Sequence, residues 1–163
     1  MTDSVLRRAR FLALEALYES ETSDHDPEQV YERRLREVAE EDTEVAGSRP
    51  SRFGRRILHG VLERRDELDQ HIQEAAPRYP VATMAVVDRN ILRLAIWELL
   101  SDNSAPVAAV VNEAVELAHR YGGESSPAFV NGVLRTISTR IRPPGPEPAS
   151  PVDTKPSNRD QEN

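Results

Sequence analysis

The chain has 163 residues and a net charge of −7, from 28 acidic against 21 basic side chains, with 38% hydrophobic residues, 5% aromatics and no cysteine. Without cysteine there is no disulfide framework, no thiolate zinc site and no cysteine nucleophile. No run of roughly 18 or more apolar residues occurs, and Asp3, Arg7, Arg8 and Arg10 interrupt the N-terminus where a signal peptide would carry its apolar stretch, so a cytoplasmic chain without a membrane segment is expected.

Apolar residues recur at helical spacing between breaks made of proline and glycine, which predicts an all-α domain over 1–142. The first helix starts near Ser4, carries Leu6, Ala9, Ala13 and Leu17 along one stripe, and ends in the polar run from Ser20 to Asp26. A second begins at Asp26-Pro27-Glu28-Gln29, where Asp26 can cap, Pro27 suits a position whose N–H would be unpaired, and Gln29 fits a capping box. Its apolar side is thin (Val30, Tyr31, Leu35, Val38), which places it at the periphery. After Gly47-Ser48-Arg49-Pro50, the residues Phe53, Ile57, Val61, Leu68, Ile72 and Ala75 predict one long helix or two with a bend near Arg64-Arg65. The segment 83–101 is apolar nearly all round, from Met84 to Leu99, and belongs in the middle of the domain. Pro106 opens a helix through Tyr121, which Gly122-Gly123 should stop with a left-handed residue. Ser126-Pro127 then caps and starts the last helix, in which Gly132 points to close helix packing. The end of the chain, 143–163, holds six of the twelve prolines and reads as a disordered tail.

The acidic charge is concentrated. Between Glu19 and Glu44 eleven carboxylates face three arginines, a balance of −8, so the remainder is about neutral and a small basic patch survives at Arg7, Arg8 and Arg10. The acidic segment should therefore have little bearing on that patch. The basic residues are 20 arginines and one lysine, Lys155. Base composition accounts for this bias, and so does a need for planar guanidiniums that pair with phosphate and stack on bases.

The histidines are His25, His59, His71 and His119. Glu116 and His119 have the spacing of half a di-metal motif, but a second such motif is missing from the sequence and a solvated surface pair is the simpler account. His59 with Glu63, and Glu67 with His71, read as ordinary i, i+4 pairs. No phosphate loop, nucleophile elbow or zinc-protease motif occurs, so neither catalysis nor a metal or other cofactor is predicted.

Two segments suggest binding. Arg7-Arg8-Ala9-Arg10 followed by Tyr18 places guanidiniums and an aromatic on one helix, an arrangement suited to single-stranded nucleic acid. Cations in the first turns oppose the helix dipole at a cost of a few tenths of a kcal/mol each, so something should compensate. From Tyr121 to Leu134 a helix stops, turns and restarts beside Phe129 and Asn131, leaving backbone N–H groups that could meet a phosphate or a base edge. Asn131 suits equally a buried link between helices.

Together, Arg7-Arg8-Ala9-Arg10 with Ala16-Leu17-Tyr18, the run Val87-Asp88-Arg89-Asn90-Ile91-Leu92-Arg93-Leu94-Ala95-Ile96-Trp97-Glu98-Leu99, the run Val111-Asn112-Glu113-Ala114-Val115-Glu116-Leu117-Ala118, and Phe129-Val130-Asn131-Gly132-Val133-Leu134 resemble the bacterial NusB antitermination family, in that family's order and over most of 7–135. The resemblance implies an all-α bundle of about six or seven helices in two small subdomains, without catalytic activity. It implies binding of the boxA element of ribosomal RNA leader transcripts together with NusE, a small-subunit ribosomal protein, within an RNA polymerase antitermination complex. Arg7, Arg8, Arg10, Tyr18, Phe129 and Asn131 then map toward the RNA, and Asp88 toward the face that receives NusE. With three arginines on phosphates, the log-log salt slope of RNA binding by the chain alone should be roughly −2. An apolar partner face could also be covered by a second copy, giving a homodimer when free. A NusB-like domain also precedes some RNA cytosine methyltransferases, for which 163 residues leave no room. The competing reading is a helical protein–protein adaptor without RNA contact, docking through the acidic 19–44 segment.

Overall fold

The computed structural model describes residues 3–101 and 105–143; the expected tail, from 144 on, lies outside the described residues. Seven α-helices follow in order: α1 (Asp3–Thr22), α2 (Pro27–Ala39), α3 (Ser48–Glu63), α4 (Arg65–Ala75), α5 (Val86–Ser101), α6 (Val107–Tyr121) and α7 (Ser126–Ile141), with a 3₁₀ turn at Val81–Thr83. Helices α1, α2 and α3 pack on one another as a first subdomain, and α4 to α7 form the second. Helix α5 joins the two, touching α1, α3, α4, α6 and α7. All ten residues from Asn90 to Leu99 are buried, the polar Asn90, Arg93 and Glu98 among them.

Local chemistry explains most boundaries. Helix α1 runs into the polar segment that was expected to end it, because Ser20, Thr22 and Ser23 donate their hydroxyls back to the carbonyls of Leu17, Tyr18 and Glu19 and satisfy the last turn. Asp26 caps α2 as anticipated, its Oδ1 accepting from the N–H groups of Glu28 at 2.9 Å and Gln29 at 3.1 Å. The long pattern from 48 to 75 is two helices broken at Arg64, where φ is −112° and ψ 19°. Helix α5 begins three residues later than the 83 read from hydrophobicity, since Met84 is extended after the 3₁₀ turn that follows Pro80. Its far end is clasped by Arg142, whose guanidinium donates to Leu99 O at 2.9 and 3.1 Å and also to Ala105 O.

The crossing of α3 over α5 depends on a missing side chain. A Cβ on Gly60 would fall 1.8 Å from Trp97 Nε1, so only glycine lets the indole come this close to the α3 backbone. Peripheral α2 is tied down by a buried polar anchor, the Tyr31 hydroxyl donating to Ser51 O at 3.0 Å, and by ion pairs such as Arg33–Glu19 and Arg55–Glu32; burial pushes the Tyr31 phenol up to about 12.

Candidate nucleic-acid interface

Three arginines in four residues on α1 leave the helix in different directions, and the structure separates their tasks. Arg7 forms a two-pronged pair with Glu113 of α6, both contacts 2.9 Å, and this guanidinium holds the Glu113 carboxyl below the usual carboxylate range. Arg10 does the same with Glu98 of α5 at 2.6 and 3.0 Å, and lies 4.9 Å from the centre of the Phe53 ring. These carboxylates supply the compensation that cations near a helix N-terminus need. Arg8 is exposed and has no ion-pair partner among the described residues. Of the three arginines assigned to nucleic acid, Arg7 and Arg10 therefore hold helices together and Arg8 faces solvent.

Arg8 stands on a stripe of α1 that continues, at steps of three and seven, through Phe11 and Tyr18. Phe11 is stacked on Tyr121 at the end of α6, with ring centres 4.0 Å apart and planes 8° from parallel. The pair separates two shallow depressions. One, of about 440 Å³, contains Arg8; the other, of about 550 Å³, contains Tyr18, Val87 and the α2 arginines Arg33 and Arg34. Tyr18, Tyr79 and Tyr121 are the three large hydrophobic side chains left exposed among the described residues, at 44, 59 and 39%. Exposed rings of this kind are platforms on which bases stack.

Phe129, near the start of α7, belongs to a separate groove of about 370 Å³, where it meets Tyr79 edge to face at 5.7 Å. Gly132 lies along the same groove and is not a packing glycine: a Cβ there would meet nothing within 4 Å. Its absent side chain leaves the groove beside Phe129 open. Asn131 is half-exposed, with its Oδ1 accepting from Arg135 Nε one turn on at 3.3 Å, so it does not link helices. Composition and spacing did not single out Tyr79, Tyr121 or Phe11 as a surface; Tyr79 beside Pro80 and Tyr121 beside Gly122 carried a local signal, and Phe11 none.

The turn between α6 and α7 also differs from expectation. Gly122 is extended, with φ −89° and ψ −177°, and no described residue has a left-handed φ. Glycine is needed there for proximity: a Cβ would lie 2.5 Å from Ser126 Cβ and 2.7 Å from Ala118 O. Ser126 is the first residue inside α7, and its Oγ accepts from Gly123 N at 2.9 Å, which ties the turn down from the inside; Ser125 occupies the cap position without a side-chain cap bond.

Asp88 sits in the first turn of α5, favourable for a carboxylate, yet its buried Oδ1 has no hydrogen-bond partner. Its neighbour Val87 lines the Tyr18 depression, so the partner face inferred for Asp88 adjoins the aromatic surface. Of the surface pairs, Glu116 accepts from Arg120 Nε at 3.0 Å, and His59 approaches Glu28 of α2 at 3.1 Å instead of Glu63.

Comparison with known proteins agrees with this architecture. The NusB family model matches residues 7–139. The transcription antitermination protein NusB of Roseiflexus sp. (strain RS-1) is 45% identical over 141 residues, spanning 85% of this chain and 95% of its own. T. maritima NusB superposes with a TM-score of 0.73 at 34% identity, covering 82% of this chain and 90% of that one. A crystal structure of the antitermination factors NusB and NusE in complex with double-stranded RNA shares the fold, with a TM-score of 0.71 at 24% identity over 85% of this chain and 99% of that one. The chain belongs to the NusB family, whose members are transcription antitermination factors and not enzymes.

Proposed function

We propose that this protein binds the boxA element of ribosomal RNA leader transcripts jointly with NusE and so takes part in an RNA polymerase antitermination complex. The observation that carries the reading is Arg8, exposed and without an ion-pair partner among the described residues, in one depression with exposed Tyr121 and on one helix stripe with exposed Tyr18, while exposed Tyr79 meets half-buried Phe129 in a separate groove. Unstacked bases find faces to lie on, and sequence is read from their edges, while few cations are available for the backbone. With Arg8 as the free guanidinium of the patch, the salt slope for the chain alone should be closer to −1 than to the −2 expected from three arginines. Binding alone is then weak, and NusE, docking beside Asp88, contributes the missing contacts.

Fluorescence anisotropy of a boxA RNA against a scrambled RNA, with and without NusE, tests this. The expected result is preference for boxA that NusE strengthens, and a loss of roughly tenfold or more when Tyr18 or Phe129 becomes alanine, from stacking worth about 1–3 kcal/mol per base. Equal binding of both RNAs in the presence of NusE would sink the proposal. The adaptor reading is separated by Arg8→Ala, which should weaken RNA binding and leave NusE binding intact; substituting Arg7 and Arg10 as well would confound the result, because both stabilise the fold.

A further inference from the structure

The acidic segment reaches the basic patch. Asp42 and Glu44, in the connection between α2 and α3, line the same 440 Å³ depression as Arg8, Arg120 and the Phe11–Tyr121 stack. They are held there by structure. Val45 is completely buried, Glu44 O accepts from Gly47 N at 3.1 Å, and Asp42 Oδ1 accepts from Glu44 N at 3.1 Å. Neither carboxylate has an ion-pair partner among the described residues, and Arg120 is already engaged by Glu116. A depression meant only for phosphate would gain nothing from two anions without ion-pair partners on an anchored turn.

We infer that this depression is a base-selective subsite, in which an unstacked nucleobase lies against the aromatic pair and presents N–H donors to Asp42 and Glu44 while Arg8 holds the adjoining phosphate. An ionised carboxylate only accepts hydrogen bonds, so it rejects phosphate oxygens and uracil carbonyls and favours an edge with neighbouring donors. Guanine, with an imino and an amino N–H side by side, is the base that satisfies a carboxylate with two bonds. The volume falls within the range of small-ligand sites and leaves space for a base and its sugar. Asp42 and Glu44 are thus specificity residues: they lower affinity for RNA in general and restore it where guanine enters. The inference rests on the RNA-binding reading given above.

The test uses the full chain with NusE and short single-stranded RNAs that are uridine-rich apart from one guanosine, moved through each position in turn, or replaced by inosine or adenosine. Wild-type protein should bind the guanosine RNA about tenfold more tightly than its inosine counterpart at one position, since inosine keeps the imino donor but lacks the amino donor, and one hydrogen bond to a charged acceptor is worth about that much. Glu44→Gln and Asp42→Asn, which keep the size of the side chains and the Asp42 acceptor, should erase this preference and strengthen binding of RNA without guanosine, with unchanged helical circular dichroism. Tyr121→Leu should weaken all these RNAs. If the amide variants tighten every RNA equally, the carboxylates merely repel and the subsite is overturned. RNA binding without any guanosine preference in the wild type overturns it too while leaving the proposed function standing; no RNA binding at all overturns both.

Discussion

The two ends of α1 use the same ion-pair chemistry to different effect. At the N-terminal end Arg7 and Arg10 each take one carboxylate on a neighbouring helix, and Arg8 between them takes none. At the C-terminal end one carboxylate, Glu21, takes three arginines: Arg65 at 3.2 Å, Arg89 and Arg93. Arg93 is only 3% exposed and also forks onto Asp69 at 2.7 and 2.9 Å, joining α1, α4 and α5. The first end spends its excess charge on solvent, where it can meet a ligand. The second engages all three of its arginines with carboxylates, because a buried guanidinium without full pairing would destabilise the fold.

The sharpest way to break this contrast is Glu21→Ala. It leaves buried Arg93 with Asp69 as its one carboxylate, beside the Asn90 amide oxygen, and strips Arg65 and Arg89 of theirs, and should cost about 3–5 kcal/mol in urea unfolding. A loss below about 1 kcal/mol would show the cluster to be a surface network. Arg10→Ala should cost less, about 2 kcal/mol, from the nearly buried Glu98 left without its fork. Arg8→Ala should leave stability unchanged and lower the salt slope of RNA binding by about 0.7, which Arg10→Ala should not do directly.

Acid sharpens the comparison further. Burial opposes ionisation of Glu21, but the hydrogen bond from Arg89 and the charge of Arg93 outweigh it and hold the carboxyl below the ordinary 4.5. Glu19, bonded by Arg33 and then His25, is lowered to about 2. Both folded values lie under the unfolded ones, so their stabilisation is complete above about pH 5 and is lost as pH falls through the folded values, toward 2 for Glu19. Urea midpoints should fall across that window, and Glu21→Gln should flatten its own part of the decline; an unchanged profile would mean that Glu21 is not titrating as a member of the cluster.

Much of the fold was legible in the sequence because its signals are local. The Asp26 cap, the break near Arg64 and the central position of α5 follow from capping chemistry, periodicity and an apolar surface too broad for one interface. Glycine was read less well. Gly122 and Gly132 each admit several causes, a left-handed turn, close packing or open space, and only the neighbours in space choose among them: Ser126 for the first, none for the second.

The candidate site divides in the same way. Sequence by itself determined that the chain is all-helical, that its acidity is concentrated in one segment, and that arginines and Tyr18 occupy a single N-terminal helix; these follow from residue type and helical period alone. Only the tertiary structure decided which arginine is free, since Glu98 and Glu113 stand 88 and 106 positions from their partners. It alone brought Tyr121 against Phe11, and it placed Asp42 and Glu44 beside a basic patch that the charge map had kept apart from them. The reason is physical: a helix fixes which side chains share a face, whereas the availability of a charge depends on which other charges the packing of distant helices brings within reach.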